Sequence, residues 1–158
     1  MSEERVGDRF APGSPGPHPL FCDTSALYAY FYRRTAQHEE IVAFFDALAH
    51  NRLPYRPLLT NQYVVDELVS LLLSDAGHEA AMSALETILD STAMTLLSVG
   101  DETFAAAIEQ FRSYDDQSIS LTDHTIAHQA TEHDAAHILT YDTDFRTREF
   151  STIPYGKR

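Results

Sequence analysis

The sequence predicts an α/β domain in which a central parallel sheet of four or five strands is flanked by helices on both faces. Three observations lead to this prediction. Short apolar runs alternate with longer stretches of helical periodicity, which is typical of strands joined by crossover helices. The chain has 158 residues, 44% of them hydrophobic, which is enough for one domain with its own core. Its single cysteine, Cys22, lies within an apolar run, so no disulfide framework is expected within one chain.

The chain begins with a stretch that we expect to be a flexible arm. Residues 1–19 contain four prolines and three glycines and show no periodicity. The folded domain is expected to span residues 20–158. In its first half, the pattern predicts a strand over 20–22, helices over 24–33 and 36–51, a strand over 58–60, and helices over 62–73 and 78–89.

The second half of the domain continues this alternation. The segment "AMTLLSV" at 93–99 predicts the third strand, and a helix is expected over 101–114. A loop over 115–121 leads into a helix over 122–132. The segment "AHILTYD" predicts a fourth strand that ends at Asp142, and "FSTIPY" is expected to add a short edge strand.

Four acidic residues fall at positions where a charge needs an explanation. Asp23 follows one predicted strand and Asp142 ends another, and the carboxyl ends of parallel strands form the functional edge of such a sheet. Glu67 borders the apolar stripe of its helix, and Asp123 lies in the middle of an apolar helix face. Four acids brought together would repel one another unless they are protonated or neutralised by a divalent cation. Ligation by oxygen alone favours Mg²⁺ or Mn²⁺.

Each acid also has a structural interpretation that the sequence leaves open. Asp23 could cap the helix that follows it, and Asp123 forms the Ser-x-x-Asp pattern of a capping box with Ser120. Glu67 could be a solvated helix residue, and Asp142 could be an ordinary turn residue.

Four segments together resemble a known family. "LFCDTSALYAYF", "TNQYVVDELVSLL", "SISLTDHTIAHQA" and "ILTYDTDF" resemble, in order and spacing, the acid-bearing motifs of PIN domains, especially those of VapC-like ribonuclease toxins. The resemblance runs from about residue 20 to residue 150. It implies a PIN-like fold and metal-dependent cleavage of RNA. The family's acids would correspond to Asp23, Glu67, Asp123 and Asp142, with Asp144 assisting the last as a metal ligand.

The resemblance extends to a few further polar positions. Ser25 matches a small polar position beside the metal, which we interpret as substrate-binding. Thr122 matches a position that is often small or hydroxylated, and Asp116 recurs in the loop before it. From their chemistry alone, Arg146 and Arg148 are candidates for contacts to RNA phosphates. Pairing of these arginines with the abundant acids is an equal alternative.

The resemblance also implies a function and partners. The chain would be a ribonuclease toxin of a type II toxin–antitoxin pair, with an RNA substrate, a small protein antitoxin that blocks the acidic pocket, and a homodimeric state. Two alternatives remain at this point. A PIN domain could bind RNA or serve as a scaffold without cleaving it. An α/β phosphatase would need a lysine near the phosphate, whereas Lys157 in the tail is the only lysine of the chain.

The charge balance bears on where such a protein works. The formal net charge is −13, from 24 acidic and 11 basic residues, which argues against non-specific binding of nucleic acid. Excess acid with almost no lysine resembles proteins adapted to molar salt, where the screening length is roughly 3 Å at 1 M. The charge therefore does not exclude a polyanionic substrate. No stretch resembles a membrane span or a signal peptide, so we expect a cytoplasmic protein.

Two histidines of the chain have the spacing of a metal-binding pair. His124 and His128 are four residues apart on a predicted helix, which is the spacing of a zinc-binding pair. Because they lie opposite the apolar face that contains Ile126 and Ala130, we expect both histidines to be exposed to solvent instead.

Overall fold

The central sheet of the protein contains five parallel strands. The computed structural model describes residues 1–114, 118–143, 145 and 149–156. Within them, the strands are β1 (His18–Cys22), β2 (Tyr55–Asn61), β3 (Met94–Leu97), β4 (His137–Leu139) and β5 (Ser151–Ile153), in the spatial order β3-β2-β1-β4-β5. Every neighbouring pair is parallel. The α/β fold class and the short edge strand are therefore confirmed.

Seven helices connect and cover these strands in the described part of the chain: α1 (Glu3–Phe10), α2 (Thr24–Phe31), α3 (His38–Ala49), α4 (Gln62–Ala76), α5 (His78–Asp90), α6 (Asp101–Ser113) and α7 (Leu121–Glu132). Helix α1 packs on α3, α3 on α2, α2 on α4, and α4 on α5. Helix α6 packs on α7. The chain adds β2 and β3 on one side of β1 and then returns to place β4 on the other side. Right-handed crossovers in opposite directions place the two helix groups on opposite faces of the sheet.

The strand order determines where a functional crevice is expected. The direction in which strands are added reverses between β1 and β4, which lie side by side at the centre of the sheet. In open α/β sheets, ligands bind outside the carboxyl ends of the strands at this switch point. Both strands are fully buried over their last residues, Phe21, Cys22, Ile138 and Leu139, so the crevice rests on a rigid base.

The N-terminal segment differs from the flexible arm expected from its composition. Residues 3–10 form α1, in which the side chain of Phe10 is fully buried and that of Val6 is nearly so. The Ser2 hydroxyl caps the helix by accepting a hydrogen bond from the Arg5 amide. Val6 and Phe10 are four residues apart and therefore share one face, which packs on α3. The prolines that suggested an arm all lie after this helix, in residues 11–19.

The fourth strand ends three residues earlier than predicted, at Leu139 rather than at Asp142. The cause is a local side-chain contact. The Thr140 hydroxyl accepts a hydrogen bond from the Asp142 amide at 2.9 Å, which turns the backbone away from the sheet. The carboxylate of Asp142 therefore lies on a turn and not on the strand itself.

The predicted exposure of both histidines on α7 is wrong for His124. This side chain is only 1% exposed, because α6 packs over that face of α7. The rings of Phe111 and Tyr114 lie 6.0 and 5.7 Å from the imidazole, measured between centroids. His128 is partly exposed and lies 3.3 Å from the Glu132 carboxylate. The face opposite Ile126 is thus a helix contact and not a solvated surface.

No helix in the described ranges is long and apolar enough to span a membrane.

Candidate active site

Three of the predicted acids meet at the switch point of the sheet. Asp23 follows β1, Asp142 lies just beyond β4, and Asp123 lies in the first turn of α7. One carboxylate oxygen from each of these residues lies within 4.8 Å of the oxygens of the other two. We call Asp23, Asp123 and Asp142 the carboxylate cluster.

Asp23 combines a capping role with a place in this cluster. Its Oδ1 accepts a 2.7 Å hydrogen bond from the Thr24 amide at the start of α2. Its Oδ2 accepts a 2.7 Å hydrogen bond from the Thr140 hydroxyl. The residue is 4% exposed, so these contacts fix a nearly buried carboxylate. The helix-cap interpretation is therefore correct and does not compete with membership of the cluster.

Two hydroxyl groups brace the turn that bears Asp142. The Thr140 hydroxyl accepts from the Asp142 amide while it donates to Asp23. The Ser25 hydroxyl oxygen accepts a 2.9 Å hydrogen bond from the Tyr141 amide and lies 3.1 Å from the Thr140 hydroxyl oxygen. These bonds tie the turn after β4 to the start of α2. Two carboxylates that are far apart in sequence are thereby held at one place.

Asp123 both caps α7 and belongs to the carboxylate cluster. The capping box predicted with Ser120 is present: the Asp123 amide donates to the Ser120 hydroxyl at 3.1 Å, and the Ser120 amide donates to Asp123 Oδ2 at 3.0 Å. The capping box fixes the direction of the carboxylate, which belongs to a residue that is 7% exposed.

Glu67 lies at the edge of the site and is not a member of the cluster. Its side chain on α4 is exposed and, together with Thr122, lines a surface groove of about 660 Å³ between α4, α6 and the start of α7. The pKa of Glu67 is nevertheless raised, first by partial burial of its carboxyl group and then by the charges of Asp123 and Asp142. The carboxyl group is therefore close enough to the cluster to respond to its field.

A buried polar network holds α4 and α7 together. The Asn61 side-chain amide donates to the Thr125 hydroxyl at 3.0 Å and to the Gln129 carbonyl at 2.9 Å, and its oxygen caps α4 by accepting from the Val64 amide. Gln129 in turn donates to the Ser98 carbonyl. These hydrogen bonds fix the position of α4, which carries Glu67, relative to α7, which carries Asp123.

The cluster is electrostatically strained without a cation. Burial, followed by repulsion from Asp123 and Asp142, raises the pKa of Asp23 to about 7, although the Thr140 and Thr24 hydrogen bonds act in the opposite direction. At neutral pH the protein therefore holds a carboxylate that would be stabilised by positive charge.

The donor set fits a hard divalent cation. The three residues offer carboxylate oxygens only, at distances that allow them to share one ion. This chemistry suits Mg²⁺ or Mn²⁺ better than a softer metal, because no thiolate or imidazole belongs to the group.

Some predicted site residues lie outside the described part of the chain. These are Asp116, Asp144, Arg146 and Arg148, whose roles stay predictions. Conversely, Thr140 and Asn61 were not predicted as site residues. A signal for Thr140 was the Thr-x-Asp pattern after an apolar run, which is typical of a hydroxyl that accepts from the second amide along the chain. Asn61 carried the signal of a helix cap, but nothing in the sequence linked it to α7.

The family model of the PIN domain matches residues 20–150 of the chain. Among solved structures, VapC20 of Mycobacterium tuberculosis, a toxin that cleaves the sarcin-ricin loop, is similar with a TM-score of 0.74 and 24% identity; the match covers 84% of this chain and 96% of that chain. VapBC2 of Rickettsia felis, bound to a DNA fragment from its promoter, has a TM-score of 0.62, 14% identity, and coverage of 85% and 96%.

A structure of FitAcB from Neisseria gonorrhoeae is similar with a TM-score of 0.55 and 22% identity, covering 85% of this chain and 96% of that chain. No curated protein matches the sequence. At these identities the structural likeness concerns the fold.

Proposed function

The chain belongs to the PIN domain family, and from this premise we propose that it is a metal-dependent endoribonuclease that hydrolyses RNA phosphodiester bonds with Mg²⁺ or Mn²⁺. We further propose that it is the toxin of a toxin–antitoxin pair. The observation that carries the proposal is the carboxylate cluster, in which three converging acids include one whose pKa is raised to about 7. Buried acids at a strand-end crevice, arranged to repel one another, are a costly arrangement that a bound cation relieves.

The residues of the chain divide the work in this proposal. Asp23, Asp123 and Asp142 would hold the cation, and Glu67 would complete the acidic set from the exposed rim. A divalent cation bound there would lower the pKa of a water molecule and stabilise the charge that develops on the attacked phosphate. The hydrogen bonds to Thr24 and Thr140 keep Asp23 oriented, so that it needs no rearrangement to bind the cation.

The substrate contacts are proposed from residue chemistry. Arg146 and Arg148 follow, in sequence, the turn that bears Asp142. We assign them to the RNA phosphates on either side of the cleaved bond, because guanidinium groups bind phosphate through two parallel hydrogen bonds. Ser25 stays a predicted substrate-binding residue. Its hydroxyl already braces the Tyr141 amide, so any contact with substrate would be additional to that role.

A protein antitoxin is the proposed regulator. A structure of FitAB is also similar, with a TM-score of 0.57 and 20% identity; like VapBC2, it is a pair of proteins bound to a DNA fragment. By analogy, a small partner would block the acidic crevice of this chain. Because the proposed substrate is RNA and the proposed regulator is a protein, we also place the chain in the cytoplasm. Its acidic, lysine-poor composition suggests adaptation to high salt.

A homodimer is proposed from an exposed apolar surface on α4 and α6. This surface contains Leu71 and Phe104, both exposed, and the Tyr63 ring, which lies 6.5 Å from the Phe104 ring; all three line one groove. Contiguous exposed apolar side chains of this kind mark protein–protein contacts. Sedimentation velocity should show a dimer for the wild type and a monomer for Phe104→Glu. Leu89→Glu, at an exposed leucine of α5, is the matched control and should remain dimeric.

The nuclease proposal is tested by cleavage of labelled total RNA. The reaction contains high salt and either Mn²⁺, Mg²⁺ or a chelator, and it compares the wild type with Asp23→Asn and Asp66→Asn. Asp66 is adjacent to Glu67 on α4 but lies outside the carboxylate cluster, so its variant removes the same charge without altering that cluster.

We expect cleavage by the wild type and Asp66→Asn with either metal, and no cleavage by Asp23→Asn or in chelator. Equal cleavage by Asp23→Asn would contradict the assignment. Bound RNA that stays intact in every condition would favour the alternative of a binding or scaffold subunit.

A further inference from the structure

The N-terminal helix α1 reaches toward the carboxylate cluster although it precedes the segment that matches the family model. The last turn of α1 carries Arg9, whose side chain is only 23% exposed. Its guanidinium makes two parallel contacts with Glu40 of α3: Nε to Oε2 and Nη2 to Oε1, each at 3.0 Å. Paired, partly shielded contacts of this kind are among the stronger ion pairs.

Glu40 also contacts the turn that bears Asp142. Its Oε1 also accepts a 3.0 Å hydrogen bond from the Tyr141 hydroxyl. We call Arg9, Glu40 and Tyr141 the polar chain.

The polar chain ends at the bracing contacts of the site. Tyr141 lies between Thr140, which donates to Asp23, and Asp142. Its own amide donates to the Ser25 hydroxyl. The side chain and the backbone of Tyr141 are thus both hydrogen-bonded, and of the residues on either side of it, Thr140 contacts the cluster and Asp142 belongs to it.

One side of the turn borders a pocket. A cavity of about 220 Å³ is bordered by Arg9, Thr140, Tyr141 and Asp142, and also by Tyr155 of the segment after β5. Side chains have no packing partner on the side that faces such a pocket, so directional polar contacts add to the core packing of Tyr141 in fixing its position. Arg9 spans this region, since its Nη1 also donates to the Tyr155 carbonyl.

We propose that Arg9, Glu40 and Tyr141 are positioning residues that set the geometry of the carboxylate cluster, so that cation binding depends on a helix outside the matched family segment. This inference rests on the proposed function for its metal, but its structural part is independent of it. None of the three residues is assigned a contact with substrate or metal.

The test compares Tyr141→Phe, Arg9→Met and the double variant with the wild type. Mn²⁺ affinity is measured from the free Mn²⁺ signal in electron paramagnetic resonance. Groups that contact metal ligands directly typically contribute 10–100-fold to affinity; the polar chain acts through the backbone of Tyr141, so we expect a loss of about three- to tenfold for each single variant. Because the contacts act in series, the double variant should lose no more than about twofold beyond either single variant.

Arg52→Met is the matched control. Arg52 also contacts α1, through a 2.7 Å ion pair with Glu3, but has no contact with the polar chain. This variant should keep Mn²⁺ affinity within about twofold of the wild type. If Arg9→Met does not fold, Tyr141→Phe alone carries the test, because it removes one hydroxyl and keeps the ring.

Amide hydrogen exchange supplies a readout that needs no metal. In Tyr141→Phe, the amides of residues 141 and 142 should exchange faster, while amides of β1 and α7 keep their protection. A variant that is merely less stable would lose protection in the core as well. Unchanged exchange at 141 and 142, with Mn²⁺ affinity within about twofold of the wild type, would overturn the inference.

The same measurements separate this inference from the proposed function. If the wild type binds no Mn²⁺, or if Asp23→Asn binds Mn²⁺ as tightly as the wild type does, the proposed metal site itself is overturned. If Asp23→Asn abolishes binding but Tyr141→Phe leaves it intact, only the role of the polar chain is overturned.

Discussion

Replacing Asp23 with asparagine should make the metal-free protein more stable at alkaline pH. Asparagine caps a helix as well as aspartate does, so the start of α2 should be kept. What changes is the buried negative charge. Burial and the neighbouring acids raise the pKa of Asp23 from 3.8 to about 7. A shift of that size corresponds to about 4 kcal/mol of unfavourable free energy for the ionised form in the folded state.

The sign of the pH dependence follows from this shift. The folded state holds the Asp23 proton more tightly than the unfolded state does, so the contribution of Asp23 to stability falls as pH rises from about 4 to 7. The penalty is fully present above about pH 7. The Asp23→Asn variant would carry no such penalty, but its neutral amide oxygen accepts a weaker hydrogen bond from Thr140 than the carboxylate does. We therefore expect a gain of about 2–4 kcal/mol at about pH 8.

The assay is denaturant unfolding in chelator at about pH 8 and at about pH 4.5, at one ionic strength. The advantage of Asp23→Asn should shrink to within about 1 kcal/mol at the acid pH, where wild-type Asp23 is protonated in the fold. In thermal unfolding, each kcal/mol corresponds to about 2–4 °C for a chain of this size. Asp66→Asn removes an exposed charge and should stay within about 0.5 kcal/mol of the wild type.

Metal should remove the stability advantage of Asp23→Asn. Mn²⁺ at about 1,000 times its dissociation constant would stabilise the wild type by about 4.1 kcal/mol and leave Asp23→Asn nearly unchanged. The reasoning is refuted if Asp23→Asn is less stable than the wild type at the alkaline pH in chelator, or if its advantage is the same at both pH values.

Three further substitutions test other parts of the structure. Asn61→Ala leaves the buried Thr125 and Gln129 without their partner and removes a helix cap, so urea unfolding should show a loss of about 3 kcal/mol. Phe10→Ala should cost about 3–5 kcal/mol, because its ring is fully buried; a loss below about 1 kcal/mol would support the original expectation of an arm. The pKa of His137 is lowered by burial and then by His18, and its Nδ1 has no hydrogen-bond partner among the described residues, so the wild type should lose stability as pH falls below about 6.5. His137→Phe should reduce that loss between about pH 7 and 5; an unchanged slope would contradict the assignment.

Much of the fold was predictable because its elements are locally encoded. The apolar runs identified all five strands, since a buried parallel strand needs continuous apolar residues. The boundaries were less accurate where a side chain intervened, as at Thr140, whose hydroxyl turns the backbone before Asp142. The helix at 3–10 was not predicted, because its two core residues, Val6 and Phe10, give only a short pattern and a proline-rich stretch follows them.

The histidine pair shows a different limit. Helical periodicity places His124 opposite Ile126, and from one helix alone that face is expected to be solvated. Only the packing of α6 on α7 buries it, and no pattern within α7 contains that information.

By itself, the sequence determined that acids follow two strands, that Asp23 and Asp123 are placed to cap their helices, and that the chain forms an α/β domain, because these properties depend on neighbours within a few positions. The tertiary structure decided which acids meet. Asp23 and Thr140 are 117 positions apart, and they touch because β1 pairs with β4. It also decided that Glu67 stands at the rim of the cluster and that Arg9 connects α1 to the turn bearing Asp142. Distances between such remote residues depend on strand order and helix packing, which are properties of the folded chain as a whole.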